Sequence, residues 1–434
     1  MHISFSVENG TIKPMHAVNN IPLTGVTGRM HHYVGEAGIP FIRLHDTGGA
    51  YGMNRFVDVE NIFRNWDADE NDPASYDFAF TDWLLQEIAT QKAEIFFRLG
   101  TTIENGQHIK AYRIYPPKDP HKWARICGRI IAHYNEGWAD GFHLGIRYWE
   151  IWNEPDNYPD IEDNCMWKGT FEEYLDLYKA SASYLKAQYP ALKIGGYASC
   201  GFYALFEKGY VESAHSSSRT EYFIECFHKF MRFVRDNKLP LDFFSWHSYS
   251  DAEKNIVYAK YVREQLDGYG FTHTESILNE WNPGTKRRGT LEDSAYIADM
   301  MLKMQDTDCD MLMYYDGQVN GSYNGLYSPL SFEPFPAYYA LKAFHELYKR
   351  KNQGKVSDVP AGISCVCAAD EEGSAVMMTN MGEKKSIPVS VEGEKCFRIY
   401  RIAQNKALSF ESEIHLPAEI TLDRYETVLL LNDE

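Results

Sequence analysis

A (β/α)8 barrel carrying a small antiparallel β-sandwich is the fold class that the sequence predicts. Two observations carry it. Short β-rich runs ending in polar residues alternate with longer helical patterns along most of the chain, and past Gly354 this pattern gives way to short strands separated by turn residues. The candidate barrel strands, in order, are MHAVN (15–19), FIRLH (41–45), IFFRL (95–99), RYWEIWN (147–153), KIGGYA (193–198), FFSWH (243–247), SILNE (276–280) and MLMYYD (311–316). Between them, TDWLLQEIATQK, HKWARICGRIIAHYNEG, TFEEYLDLYKASASYLKAQ and TEYFIECFHKFMRFVRDNK repeat apolar residues at three- and four-residue spacing, as amphipathic helices do. Thr170 precedes one helix, with Glu173 placed to complete a capping box. After the helix at PAYYALKAFHELYKR, the stretches AVMMTN, SIPVSV, CFRIYRI and TVLLLN read as strands, and NMGEKK and VEGEK as hairpin connections. The opening HISFSV is placed to pair with this tail. The expected division is a barrel over 12–350 and a sandwich from 1–11 and 351–434.

Composition narrows the function classes. The chain has 434 residues, 44% hydrophobic, 24% charged and 15% aromatic, which describes a folded globule. Its formal net charge of −18 disfavours phosphate backbones and anionic headgroups, so neither nucleic acid nor a membrane is an expected partner. MHISFSVENG lacks a basic segment followed by an apolar one, so a cytoplasmic location is expected. The eight cysteines lack CxxC spacing and are expected to be reduced. Cys365 and Cys367 share one face of a strand.

A barrel places its chemistry at the carboxyl ends of its strands. Glu154 ends the fourth candidate strand and Glu280 the seventh, positions that face each other across the mouth of a closed ring. The plain alternative for each is an ion pair with a nearby arginine or a helix cap. As a pair they have the residue types that retaining glycoside hydrolysis needs, one protonated carboxyl for the leaving oxygen and one carboxylate to attack the anomeric carbon. Trp149, Trp152 and Pro155 are expected to desolvate Glu154 and raise its pKa, and Tyr249 to donate to Glu280.

Other motifs carry less. DADENDPASYDF (67–78) begins like a calcium loop but has Asp72 at the glycine position and Phe78 at the bidentate acid, so it reads as a solvated acidic loop. The histidines of MHH, HDTGG and SWHSY lack helical spacing, and no metal or other cofactor is expected. The glycines of DTGGAYG fit a tight barrel loop better than a phosphate cradle. Lys286-Arg287-Arg288 is the basic cluster nearest Glu280, either a uronate clamp or a solvated loop. Trp66, Tyr115, Trp167, Trp281 and Tyr315 are placed in or near loops above the barrel, where rings can stack on sugars.

Trp152-Asn153-Glu154-Pro155 with Glu280 resembles the catalytic strands of clan A glycoside hydrolases. YPPKDPHKWARICGRIIAHYNEGW leading to WEIWNEPDN, then MWKGTFEEYLDLYKASASYLKAQYPALKIGG, narrows this resemblance to glycoside hydrolase family 39, the β-xylosidases and α-L-iduronidases, over about residues 12–345. The resemblance implies that Glu154 is the acid/base, Glu280 the nucleophile, and Asn153 the partner of the hydroxyl beside the anomeric carbon. It implies further that Arg43 supports the nucleophile, that His45 contacts substrate, and that His247 and Tyr249 form the family's His-x-Tyr. Strand eight departs from the clan with Tyr314-Tyr315-Asp316 in place of a tryptophan, and strand seven reads LNEW rather than a Thr-Glu pair. The expectation is a retaining exo-glycosidase acting on a terminal neutral sugar of a short oligosaccharide, with a homo-oligomer possible. The alternatives are another specificity of the family, for arabinose, galactose, glucose or a uronic acid, or a barrel that only binds carbohydrate.

Overall fold

The computed structural model describes residues 1–6, 9–23, 30–47, 57–103, 114–206, 214–319 and 323–433. After β1 (His2–Ser4), eight parallel strands close into a barrel in chain order: β2 (Ala17–Asn19), β3 (Phe41–Leu44), β4 (Glu94–Leu99), β5 (Tyr148–Ile151), β6 (Lys193–Ser199), β7 (Phe243–Ser248), β8 (Glu275–Trp281) and β9 (Met311–Tyr314). Each of the eight runs read from the sequence contributes one strand. Among the described residues no helix is long and apolar enough to cross a membrane.

Alternation along the strands builds the barrel in layers. Inward-facing Ala17, Phe41, Phe96, Tyr148, Phe243, Ile277, Met311 and Met313 form a small apolar cluster at the amino-terminal end. Their neighbours Val18, Ile42, Phe97, Trp149, Phe244, Leu278 and Leu312 face outward into the large core beneath the helices. Gly195 leaves room at the first of these layers, where a Cβ would lie 2.2 Å from the Phe243 carbonyl oxygen. Two residues further along, the inward positions turn polar: Asn19, Arg43, Arg98, Glu150, Ser245 and Asn279 are all buried.

The helices begin as their sequences predict. Thr170 Oγ1 accepts from the Glu173 amide (3.2 Å) while the Glu173 carboxylate accepts from the Thr170 amide (2.8 Å), closing the capping box on Phe171–Gln188. Such a cap is worth about 1 kcal/mol. In the acidic loop at 67–78, Asp72 caps the short helix Pro73–Ser75, and Glu70 pairs with Arg125 and Lys122.

The tail forms two sheets. One has the order β11 (Lys355–Ser357), β1, β14 (Lys385–Val391) and β17 (Ala418–Leu422). The other runs β10 (Asn352–Gln353), β12 (Ile363–Asp370), β13 (Gly373–Asn380), β18 (Thr427–Asp433), β15 (Lys395–Ala403) and β16 (Lys406–Leu416). The amino-terminal β1 runs antiparallel to β11 and parallel to β14. NMGEKK and VEGEK are not hairpins, because β13 and β15 pair in one sheet and β14 in the other, so both connections cross between sheets. The tight turns instead join β12 to β13 and β15 to β16. Cys365 and Cys367 both lie against the sandwich core, and all eight cysteines are free thiols.

Candidate active site

Strand alternation and two local departures from it assemble the site. Inward Arg43 (β3) and Glu150 (β5) form a fully buried ion pair, Arg43 Nη2 lying 2.8 Å from Glu150 Oε2. Glu150 Oε1 accepts from Ser245 Oγ (2.6 Å) and Asn279 Nδ2 (2.5 Å), so its charge is satisfied on every side. Arg43 carries this positive charge upward. Its Nη1 donates to Glu280 Oε2 (3.2 Å) and its Nη2 to Asn153 Oδ1 (2.5 Å). Asn153 is thereby oriented with its Nδ2 as the remaining donor.

On β8, Ile277 and Asn279 face inward, so strict alternation would send Glu280 outward with Leu278. Register shifts between β8 and both of its neighbours at 278–281 reverse the phase and turn Glu280 into the mouth. Trp281 consequently turns outward. It is 1% exposed and meets Tyr314 edge-on at 5.5 Å, a core side chain rather than a loop platform. At the end of β5 the departure is in the backbone: Trp152 (φ 72°) and Glu154 (φ 45°) take left-handed conformations that cost non-glycine residues energy and mark functional turns. The Trp152 ring packs edge-on against Trp167, itself fully buried.

Glu154, His247 and Glu280 bring one side-chain ligand atom each within 4.8 Å of one another. His247 lies between the two acids, Nδ1 donating to Glu154 Oε1 (2.7 Å) and Nε2 standing 3.5 Å from Glu280 Oε2. Tyr249 Oη donates to Glu280 Oε1 (2.5 Å), as the spacing from strand six suggested. Two carboxylates and an imidazole are also a donor set for a divalent cation, but here the Arg43 guanidinium already supplies positive charge to Glu280.

The electrostatics revise one expectation. Burial pushes the Glu154 carboxyl up, but the hydrogen bond and charge of His247, the Asn157 hydrogen bond and the Arg219 charge outweigh it and hold the group below the usual range. Burial depresses His247, yet the charges of Glu280 and Glu154 and the Glu154 hydrogen bond leave its pKa raised. Both shifts have a cause in common, the hydrogen-bonded contact between Glu154 and His247. Trp149 and Trp152 are fully buried in the core and leave Glu154 to these polar partners.

A cavity of about 490 Å³ opens over the pair, lined by His45, Asp46, Glu154, Arg219, Tyr249, Glu280, Tyr315 and Asp316 among others. Asp46 accepts from Tyr315 Oη (2.8 Å), and burial together with the nearby Glu280 charge pushes its carboxyl up to about 7. Asp316 rises to about 7 through burial, and its Oδ1 is a buried acceptor without a partner. Asn157 and Arg219 fix the loop after Glu154: Asn157 Nδ2 donates to Glu154 Oε2 (2.8 Å), and Arg219 Nε donates to the Asn157 carbonyl (2.7 Å).

Sequence reasoning thus named Arg43, His45, Asn153, Glu154, His247, Tyr249, Glu280 and Tyr315, all of which converge here. It missed the roles of Glu150, Asp46, Asn157 and Arg219. Glu150 was findable as the inward position of YWEI; the others sit in loops or on a helix and carry no periodic signal. The basic cluster lies elsewhere, with the Arg287 guanidinium 3.8 Å from the Tyr296 ring centroid and 3.3 Å from Glu292. Gly48, Gly49 and Gly52 of DTGGAYG lie outside the described residues.

With this geometry in view, the comparisons are specific. The family model described as glycosyl hydrolases family 39 matches residues 33–375. A β-xylosidase of Geobacillus stearothermophilus is 24% identical over 224 residues, 50% of this chain and 39% of that one. A β-xylosidase of Caldicellulosiruptor saccharolyticus is 23% identical over 396 residues, 83% of this chain and 72% of that one. The crystal structure of a glucosidase from Croceicoccus marinus superposes with a TM-score of 0.80 at 18% identity, covering 100% of this chain and 98% of the other.

Proposed function

The chain belongs to glycoside hydrolase family 39, and from that premise we propose that it is a retaining exo-glycosidase releasing a terminal, neutral, xylose-like sugar from short oligosaccharides. In this reading Glu280 is the nucleophile and Glu154 the acid/base. The barrel over 12–350 is the catalytic unit, and 1–11 with 351–434 form the accessory sandwich. The carrying observation is that one oxygen of each carboxyl lies within 4.8 Å of the other, a closeness that favours the tighter spacing of a retaining pair over the roughly 6.5–9.5 Å of an inverting one.

In this reading Glu154 and His247 share the proton that the reaction moves. Glu280 attacks the anomeric carbon as the leaving oxygen takes the proton held by Glu154 and His247. The new ester removes the Glu280 charge that favours an imidazolium, so the pair stays deprotonated and Glu154 can act as base on a water. Hydrolysis returns the negative charge to Glu280 and the proton to the pair. Asn153 Nδ2 donates to the hydroxyl beside the anomeric carbon.

A neutral sugar suits the wall beside Glu280. Hydroxyls suit the acidic side chains that line it, whereas a uronate would meet Asp46, Asp316 and Glu280 together. Two of the relatives are β-xylosidases, which supports xylose. Turnover of nitrophenyl β-xyloside, α-L-arabinoside, β-galactoside, β-glucoside and α-L-iduronide tests the reading. The β-xyloside is expected to be hydrolysed and the iduronide untouched; preference for the iduronide would overturn it.

The proton arrangement makes a separate prediction. A raised His247 pKa keeps the proton on the pair above the ordinary histidine value, and it is lost as pH rises through the raised value. The basic limb of kcat/KM should therefore lie above pH ~6.5. His247→Asn leaves Glu154 to hold the proton alone and is expected to move that limb to lower pH. An unmoved limb would show that His247 only packs.

A further inference from the structure

A second cavity of about 380 Å³ lies on the same barrel face as the catalytic pocket, walled by the loops that follow β3 and β4. From those two loops, Asp46 and Ile103 line the catalytic pocket, while Phe63, Arg64, Trp66, Tyr115 and Lys118 line the second cavity. Its floor is tied to the barrel. The Val59 amide donates to the Gly100 carbonyl (3.0 Å), and Asp58, fully buried, pairs with Arg98 (2.9 Å) and accepts from the Thr102 amide (2.9 Å).

The lining has the chemistry of a saccharide site. Phe63 and Trp66 are set in place, the Lys122 ammonium standing 5.8 and 5.7 Å from their ring centroids. Tyr115 is a large aromatic left 47% exposed. Exposed Lys118 stands beside these rings as a hydrogen-bond donor, and exposed Arg64 stands there paired with Asp77 (2.6 Å). A pyranose or furanose ring has one apolar C–H face and a rim of hydroxyls. Aromatic faces remove the first from water, and charged donors satisfy the second. A purely apolar ligand would leave the Lys118 edge unused, a cation would meet Arg64, Lys118 and Lys122, and an anion would meet the electron-rich ring faces.

We propose that this cavity is a second carbohydrate-binding site, holding one or two neutral sugar units of an oligosaccharide through Tyr115 and Trp66. The inference rests on the chain being a glycoside hydrolase and not on which sugar it cleaves. Such a site would keep a longer glycan on the enzyme face between cleavage events, and would be silent toward a nitrophenyl monosaccharide.

The test uses the full chain as Glu280→Gln, titrated calorimetrically with xylohexaose, arabinohexaose and cellohexaose, with and without Tyr115→Ala or Trp66→Ala. At least one hexaose is expected to bind at two sites, one of which weakens about tenfold or vanishes in either variant. In the otherwise wild-type chain, Tyr115→Ala should leave nitrophenyl glycoside kinetics unchanged, which also reports on folding. Binding at one site only, or a second site indifferent to both substitutions, overturns the proposal. Failure of the nitrophenyl panel with two-site hexaose binding intact would instead count against the proposed catalytic specificity.

Discussion

Glu280→Gln is expected to lower kcat/KM by about 10⁴-fold or more on every substrate the wild type cleaves, while leaving the fold and sugar binding intact. The amide has the shape of the carboxylate and still accepts from Tyr249, so little repacking is needed. Arg43 keeps its buried partner Glu150, so no guanidinium is stranded. What disappears is the negative oxygen that attacks the anomeric carbon, and no neighbouring carboxyl is placed to replace it without losing its own role. The check is kinetic and chemical. Activity on the nitrophenyl panel should vanish, and a slow 2-fluoro glycoside should label wild-type Glu280, read by peptide mass. Label on any other residue would remove the nucleophile assignment.

Glu154→Ala should separate substrates by leaving group. General acid catalysis is worth about 10²–10⁴-fold, and it is needed most where the departing oxygen is basic. Natural oligosaccharides should therefore lose most of their kcat/KM, whereas activated aryl glycosides should keep much of theirs. Even on aryl substrates kcat should fall, because the variant lacks the base for hydrolysing the glycosyl-enzyme. Azide, which needs no base, should restore turnover and appear as a glycosyl azide of retained configuration. Equal losses on both substrate classes without azide rescue would exclude Glu154 as the acid/base. His247 sharpens the expectation, since truncation of Glu154 leaves the imidazole facing Glu280 alone and should change the pH dependence as well as the rate.

Much of the barrel could be read because its signals are local. Six of the eight strand runs ended in a polar residue, and alternation placed Arg43, His247 and Tyr315 on the inward face. Glu280 is different. Its inward direction depends on register shifts against both neighbouring strands, so the sequence could locate it at the strand end but not aim it. The sandwich shows the same limit. Its strands were visible as β-rich runs, but which strand pairs with which is a long-range choice, and two connections read as hairpins cross between sheets. The aromatic residues divided for a related reason. Trp167 and Trp281 are aromatic residues near the mouth, yet the register shifts on β8 and the left-handed turn at Trp152 gave them a core to fill.

By itself the sequence determined the succession of strands and helices, the end of the chain that forms the sandwich, and the residues standing at the mouth, because periodicity and strand ends depend on near neighbours. Only the tertiary structure decided the electrostatic surroundings of Glu154. The sequence offered nearby tryptophans and a raised pKa; folding placed those rings in the core and brought His247, Asn157 and Arg219 to the carboxyl instead. Charges separated by dozens of residues act through space, and their effect exists only once the barrel has closed.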